Sequence, residues 1–131
     1  MSYLVDSDVI IRLLAARQPT VAAVQRLAHQ RLAVSLITVG EVYEGAFRTS
    51  NPHEHLRTFR ILFRTFDIVN LNDSIMERFA ETRADLRRRG QIIPDFDLIL
   101  CATALEHDLT LLSYNLRHLQ RVPGLRVHSP S

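Results

Sequence analysis

Apolar residues along this chain fall into two alternating kinds of stretch. Five short runs, "YLVD" (3–6), "LAVS" (32–35), "DIVNL" (67–71), "LTLLS" (109–113) and "LRVHS" (125–129), are dense in apolar and β-forming residues. Between them lie longer segments in which apolar positions return every three or four residues. The first kind predicts buried strands and the second predicts amphipathic helices. "SDVIIRLLAA" (7–16) reads as a helix capped by Ser7 or Asp8, with Asp8 four residues before Arg12. A second helix starts at Pro19-Thr20 and runs to about His29. Thr38-Val39-Gly40-Glu41 has capping-box spacing and opens a third, reaching about Arg48. Asn51-Pro52-His53-Glu54 combines an N-cap, a first-position proline and an early acid, for a helix to about Arg64. Ser74-Ile75-Met76-Glu77 is another capping box, and the long helix it opens stops at Arg87-Arg88-Arg89-Gly90. One more helix covers about 94–107, and a short helical turn near 116–120 separates the last two strands.

Strands alternating with helices predict an α/β sandwich of three layers, with a mainly parallel sheet of four to five strands and helices on both faces. No repeat, linker or low-complexity tract interrupts the 131 residues, so residues 1–131 are expected to form one domain. A chain of that size buries roughly two-thirds of its unfolded surface. In such folds, sites form beyond the carboxyl ends of the strands. Asp6 ends the first strand, Glu41 lies just past the second, and Ser113 and Asn115 close the fourth. Asp97 falls outside this rule. It sits in "IIPDFDLILCATAL" (92–105), close to Asp95 and followed by an apolar run. Burying an ionised carboxylate costs several kcal/mol unless a positive charge meets it.

Composition narrows the chemistry. The chain is 47% hydrophobic and 23% charged, and no segment is long and apolar enough to span a bilayer. Its start, "MSYLVDSDVI", lacks the basic region and cleavage site of a signal peptide. The single cysteine, Cys101, has no internal disulfide partner and reads as a small packing residue, so a cytoplasmic protein is expected. The net charge is +2, and all sixteen basic residues are arginine. Arginine forks suit phosphate, but an arginine-biased genome explains the count as simply. The four glycines are scattered, which excludes a phosphate-binding loop or a dinucleotide fingerprint.

The acids carry the candidate chemistry. Several carboxylates converging on one crevice cannot all ionise without a counter-charge. Mg²⁺ or Mn²⁺ supplies it through oxygen ligands, and a water beside such a cation can attack a phosphodiester. Each acid also has a structural reading: Asp6 as a helix cap, Asp8 as a cap or a partner of Arg12, Glu41 in its capping box, Asp95 as a dipole-facing acid. Asp97 is the hardest to explain structurally. His53-Glu54-His55 lies in a polar helix start without partner ligands, and Arg87–Arg89 reads first as a solvated helix end.

"YLVDSDVII", "TVGEVYEGA" and "IIPDFDLILCATALEHDLTLLSYNLRHLQRVPGLRV" together resemble the PIN-domain ribonucleases of the VapC toxin type, from Tyr3 to Val127. The resemblance implies a PIN-like α/β/α sandwich with Asp6, Glu41 and Asp97 as metal-binding catalytic acids. Ser7 matches a small hydroxyl residue that supports the site, and Ser113 and Asn115 fall in the segment after the fourth strand. Asn115 stands where many relatives carry a fourth acid. Asp95 is an extra acid beside the matched Asp97. Magnesium- or manganese-dependent cleavage of RNA, inhibition by a VapB-like antitoxin and a homodimer are the further implications, with no membrane attachment. Two rivals remain. "LVDSDVII" also fits the Asp-x-Asp motif of haloacid dehalogenase-like phosphatases, but the chain has no lysine and offers "LLSYN" where a late acidic pair belongs. A non-catalytic PIN-like binding module is the other, and the intact set of acids argues against it.

Overall fold

The computed structural model describes residues 2–130. Its elements run β1 (Ser2–Val5), α1 (Ser7–Leu14), α2 (Thr20–Arg26), β2 (Arg31–Ser35), α3 (Leu36–Phe47), α4 (Pro52–Phe63), β3 (Asp67–Val69), α5 (Asp73–Arg88), α6 (Asp95–Glu106), β4 (Thr110–Leu112), α7 (Leu116–Leu119) and β5 (Val127–His128). The strands form one sheet in the order β3-β2-β1-β4-β5, and every pairing is parallel. The predicted sandwich is present, with the sheet fully parallel.

Both faces of the sheet are covered, which is why the strands read as unbroken apolar runs rather than alternating ones. Leu4, Ala33 and Leu111 point into a core shared with Leu86 of α5, Leu98 and Cys101 of α6 and Leu119 of α7. Their chain neighbours Val5, Val34 and Leu112 point the other way, toward Val9 and Ile10 of α1, Val39 and Val42 of α3 and Phe63 of α4. The period-two alternation of side chains along a strand thus feeds two cores.

Three helix starts differ from the expected ones. Asp6, not Ser7 or Asp8, caps α1: its carboxylate accepts the Ser7 N–H at 2.7 Å. Asn72 caps α5 by accepting from Ile75, so Ser74-x-x-Glu77 is not the box that opens it. Ser35 caps α3 through the Ile37 N–H at 3.2 Å. Thr38 therefore lies inside the helix, fully buried, and Glu41 is well past the first turn. In each case an earlier polar residue at the strand or loop end took the cap. At α1 and α3 the chain turns straight from strand to helix, leaving no room for the later start.

The strand order places the site. From β1 the chain builds outward through β2 to β3, then returns to lay β4 on the other side of β1. Between β1 and β4 the direction of winding reverses, opening a crevice at the carboxyl ends of the two strands. Asp6 follows β1 there and Ser113 follows β4.

Candidate active site

Asp6 is buried, and its carboxylate is held from two sides. Oδ1 accepts the Ser7 N–H, and Oδ2 accepts the Ser113 hydroxyl at 2.7 Å. The Ser7 hydroxyl lies 3.4 Å from the same Oδ1. Ser113 is itself fully buried, and its oxygen accepts the Asn115 N–H at 3.0 Å. Ser7, Ser113 and Asn115 are thus gathered round Asp6. Asn115 contributes through its backbone; as N-cap of α7 its side chain makes no capping bond.

Glu41 and Asp97 face Asp6 from two further helices. Burial, then the charges of Asp6, Asp97, Glu44 and Asp8, push the Glu41 carboxyl up to about 7. Burial followed by the charge of Asp6 raises Asp97 as well, partly offset by His118. Pro94 stands at the N-cap of α6, so Asp97 falls in its first turn, where free amides favour a carboxylate. The α6 sequence beyond Asp97 is apolar on every side because the helix is packed between the sheet and α5. Asp95 takes another direction. It pairs with Arg83 at 2.8 Å on the exposed side of α6.

None of the ion pairs among the described residues involves Asp6, Asp8, Glu41 or Asp97. Of the sixteen arginines, Arg12 acts on Asp8 by its charge without forming an ion pair with it. The set is made of hard oxygen donors, the kind that Mg²⁺ and Mn²⁺ accept. Among the described residues, no group of three or more His, Cys, Asp or Glu is arranged to hold a metal ion as it stands. Mg²⁺ usually keeps several waters and takes only one or two carboxylates directly. His53, Glu54 and His55 are all exposed on α4, and Arg88 and Arg89 pair with Asp85 at the solvated end of α5.

Two neighbours of the site lacked a clear signal in the sequence. Asp8 accepts the Tyr114 N–H at 3.1 Å, and burial with the Asp6 charge raises it to about 6. Arg12, expected to pair with Asp8, lies 3.7 Å above the Tyr114 ring instead. His118 stands close enough to Asp97 to oppose its rise, and its Nδ1 is buried without a partner among the described residues. A histidine in a four-residue helix carries no mark of that placement.

A crevice rimmed by Ser7, Ile11, Leu36, Arg48 and Phe96 has Glu41 in its wall, and Ser7 and Phe96 are the chain neighbours of Asp6 and Asp97. No described helix is long and apolar enough to cross a membrane.

The PIN domain family model matches residues 3–125. Ribonuclease VapC1 of Haemophilus influenzae is 28% identical over 128 residues, covering 96% of both chains. The tRNA(fMet)-specific endonuclease VapC of Shigella flexneri is 22% identical, again covering 96% of each. Among solved structures, VapBC-1 from nontypeable Haemophilus influenzae superposes with a TM-score of 0.88 at 25% identity, covering 99% of this chain and 98% of that one. VapBC2 from Rickettsia felis, bound to a DNA fragment from its promoter, gives a TM-score of 0.91 at 20% identity and 98% coverage of both. The parallel sheet and the family match over nearly the whole length agree: this chain belongs to the PIN-domain family.

Proposed function

We infer that this chain is a single-domain endoribonuclease toxin that depends on Mg²⁺ or Mn²⁺, with Asp6, Glu41 and Asp97 as the acids of its site. The observation that carries the reading is electrostatic. The charge of Asp6 raises both Glu41 and Asp97, which reach it from two other helices, and none of the three acids forms an ion pair among the described residues. A fold tolerates such crowding where a cation is to be bound.

In this reading the Ser7 N–H and the Ser113 hydroxyl fix both oxygens of Asp6, so the carboxylate keeps one orientation. Glu41 and Asp97 come from α3 and α6, so the site's width depends on how those helices pack. A bound divalent cation supplies Lewis acidity toward the phosphoryl oxygens and toward the attacking water. Ser113 and Asn115 support the site by holding Asp6 rather than by adding a fourth acid. Asp95 is tied to Arg83 and contributes little.

The substrate is RNA, and the partner is a VapB-like antitoxin that blocks the crevice. The curated relatives are named as ribonucleases, one of them specific for tRNA(fMet), and the similar structures include VapBC complexes. The chain acts as a homodimer, for which exposed Phe47 and Ile92 offer apolar surface. The test is cleavage of a mixed RNA pool by the purified protein across a magnesium titration. Cleavage that needs the cation and is lost in Asp6→Asn supports the reading. Cleavage unchanged in a chelator, or unchanged by Asp6→Asn, defeats it.

A further inference from the structure

We propose that Asp8 is a positioning residue for this site: it anchors the segment after β4, and through Ser113 it sets the orientation of Asp6. The inference rests on the reading of Asp6 as a catalytic acid. Its ground is the geometry of one hydroxyl. Ser113 has a single proton to donate and two carboxylate oxygens in reach, Asp6 Oδ2 at 2.7 Å and Asp8 Oδ2 at 3.5 Å. The proton goes to Asp6. That choice depends on where the Ser113 oxygen sits; the edge strand holds the Ser113 amide, but the chain beyond it has left the sheet, because β4 ends at Leu112.

Beyond Leu112 the backbone is held by successive amides. Ser113 N–H donates to His128 of the edge strand, Tyr114 N–H donates to Asp8 Oδ2 at 3.1 Å, and Asn115 N–H donates to the Ser113 oxygen. The middle bond is the one that ties this segment to α1, the helix that Asp6 itself caps. The Tyr114 side chain is fixed around the same point. Arg12 covers its ring, and its hydroxyl bonds Thr20 and the Pro130 carbonyl. With Tyr114 held, Asn115 N–H occupies one lone pair of the Ser113 oxygen and the hydroxyl proton is aimed at Asp6. Asp8 thus acts at one remove from the crevice. Its Oδ2 accepts the Tyr114 N–H, and Oδ1 has no partner among the described residues.

Positioning needs an acceptor oxygen at this place, whereas a direct cation ligand needs the charge. Asp8→Asn keeps the first and removes the second. The experiment compares Asp8→Ala, Asp8→Asn and Asp6→Asn, and repeats Asp8→Ala in a Ser113→Ala background. The readouts are RNA cleavage and the hydrogen exchange of the Tyr114 amide in metal-free protein. Asp8→Ala is expected to lower cleavage about 10- to 100-fold, the usual cost of losing an outer support. It should also speed Tyr114 exchange. Asp8→Asn should recover most of the cleavage and the slow exchange. In the Ser113→Ala background Asp8→Ala should cost little more, because the two residues act in series. Equal losses in both backgrounds would overturn the proposal, as would an Asp8→Asn protein as inactive as Asp8→Ala, or Tyr114 exchange unmoved by Asp8→Ala. Should Asp8→Ala not fold, Asp8→Asn decides alone: cleavage near the wild-type level supports positioning, and cleavage as low as that of Asp6→Asn overturns it. Full cleavage by Asp6→Asn would mean instead that the site reading itself had failed.

Discussion

Asp97 bears two costs in the metal-free protein, its burial and the charge of Asp6. Removing its charge should relieve both. Asp97→Asn is expected to abolish RNA cleavage and growth toxicity while leaving the metal-free fold intact or more stable. Thermal melts with and without magnesium check this, and an unfolded Asp97→Asn protein that still binds magnesium would contradict it. Asp95→Asn, two residues away, removes only a surface pair with Arg83, worth about 0–1 kcal/mol, and should change cleavage little. Glu41 gives the pH dependence. Its carboxyl is raised from 4.5 to about 7 in the fold, so the folded state disfavours the ionised form. The stability it contributes is present in full below about 4.5 and is lost as pH rises through about 7. Asp8, raised from 3.8 to about 6, acts in the same direction at lower pH. Melting of the metal-free protein between those limits should therefore fall less steeply with rising pH in Glu41→Gln than in wild type. Asn115 tests the outer part of the site. If its side chain orients water or ligand there, Asn115→Ala should cost about 10- to 100-fold in cleavage over a magnesium titration. A wild-type rate would confine Asn115 to its backbone bond with Ser113.

Where α3 begins decides what Glu41 is free to do. The spacing Thr38-x-x-Glu41 suggests a box that would turn Glu41 back onto its own helix start. Ser35 takes the cap instead, and Glu41 is released toward the crevice. The two registers predict opposite mutational costs. Ser35→Ala should destabilise by about 1 kcal/mol through the lost cap. Thr38→Val should be near neutral or stabilising, because the Thr38 hydroxyl is buried and has no partner among the described residues. Denaturant melts separate them, and a large loss from Thr38→Val with none from Ser35→Ala would restore the box. At α6 the proline start was plain in the sequence, since Pro94 cannot continue a helix from its N-terminal side. At α1 the sequence left Asp6, Ser7 and Asp8 all open as caps, and the strand end, Asp6, takes the role.

For the whole molecule, the alternation of strands and helices was enough to predict the sandwich, because each strand is covered on both faces and leaves an apolar run. The lengths were harder to judge. "DIVNL", "LTLLS" and "LRVHS" shrink to β3 (Asp67–Val69), β4 (Thr110–Leu112) and β5 (Val127–His128), with β5, at one edge of the sheet, the shortest. The site was legible only as far as strand ends go. That Asp6 would meet Ser113 depends on β1 pairing with β4, a contact between distant parts of the chain that no local period encodes. The meeting of Asp97 with Asp6 depends on α6 crossing the same end of the sheet, and came from the family resemblance rather than from spacing. Asp8 and His118 had no such help, and their places follow from the loop after β4.

On the proposed function, Asp6 after β1, Glu41 of α3 and Asp97 of α6 hold one divalent cation between them. The measurement closest to it is anomalous diffraction from crystals soaked in manganese, with wild type and Asp97→Asn compared. The account predicts one strong peak in the crevice, about 2.1 Å from a carboxylate oxygen of the Asp6, Glu41 and Asp97 set and otherwise surrounded by water, and no peak there in Asp97→Asn. A manganese peak at His53 and His55 with none beside Asp6, or a crevice peak unaffected by Asp97→Asn, would contradict it.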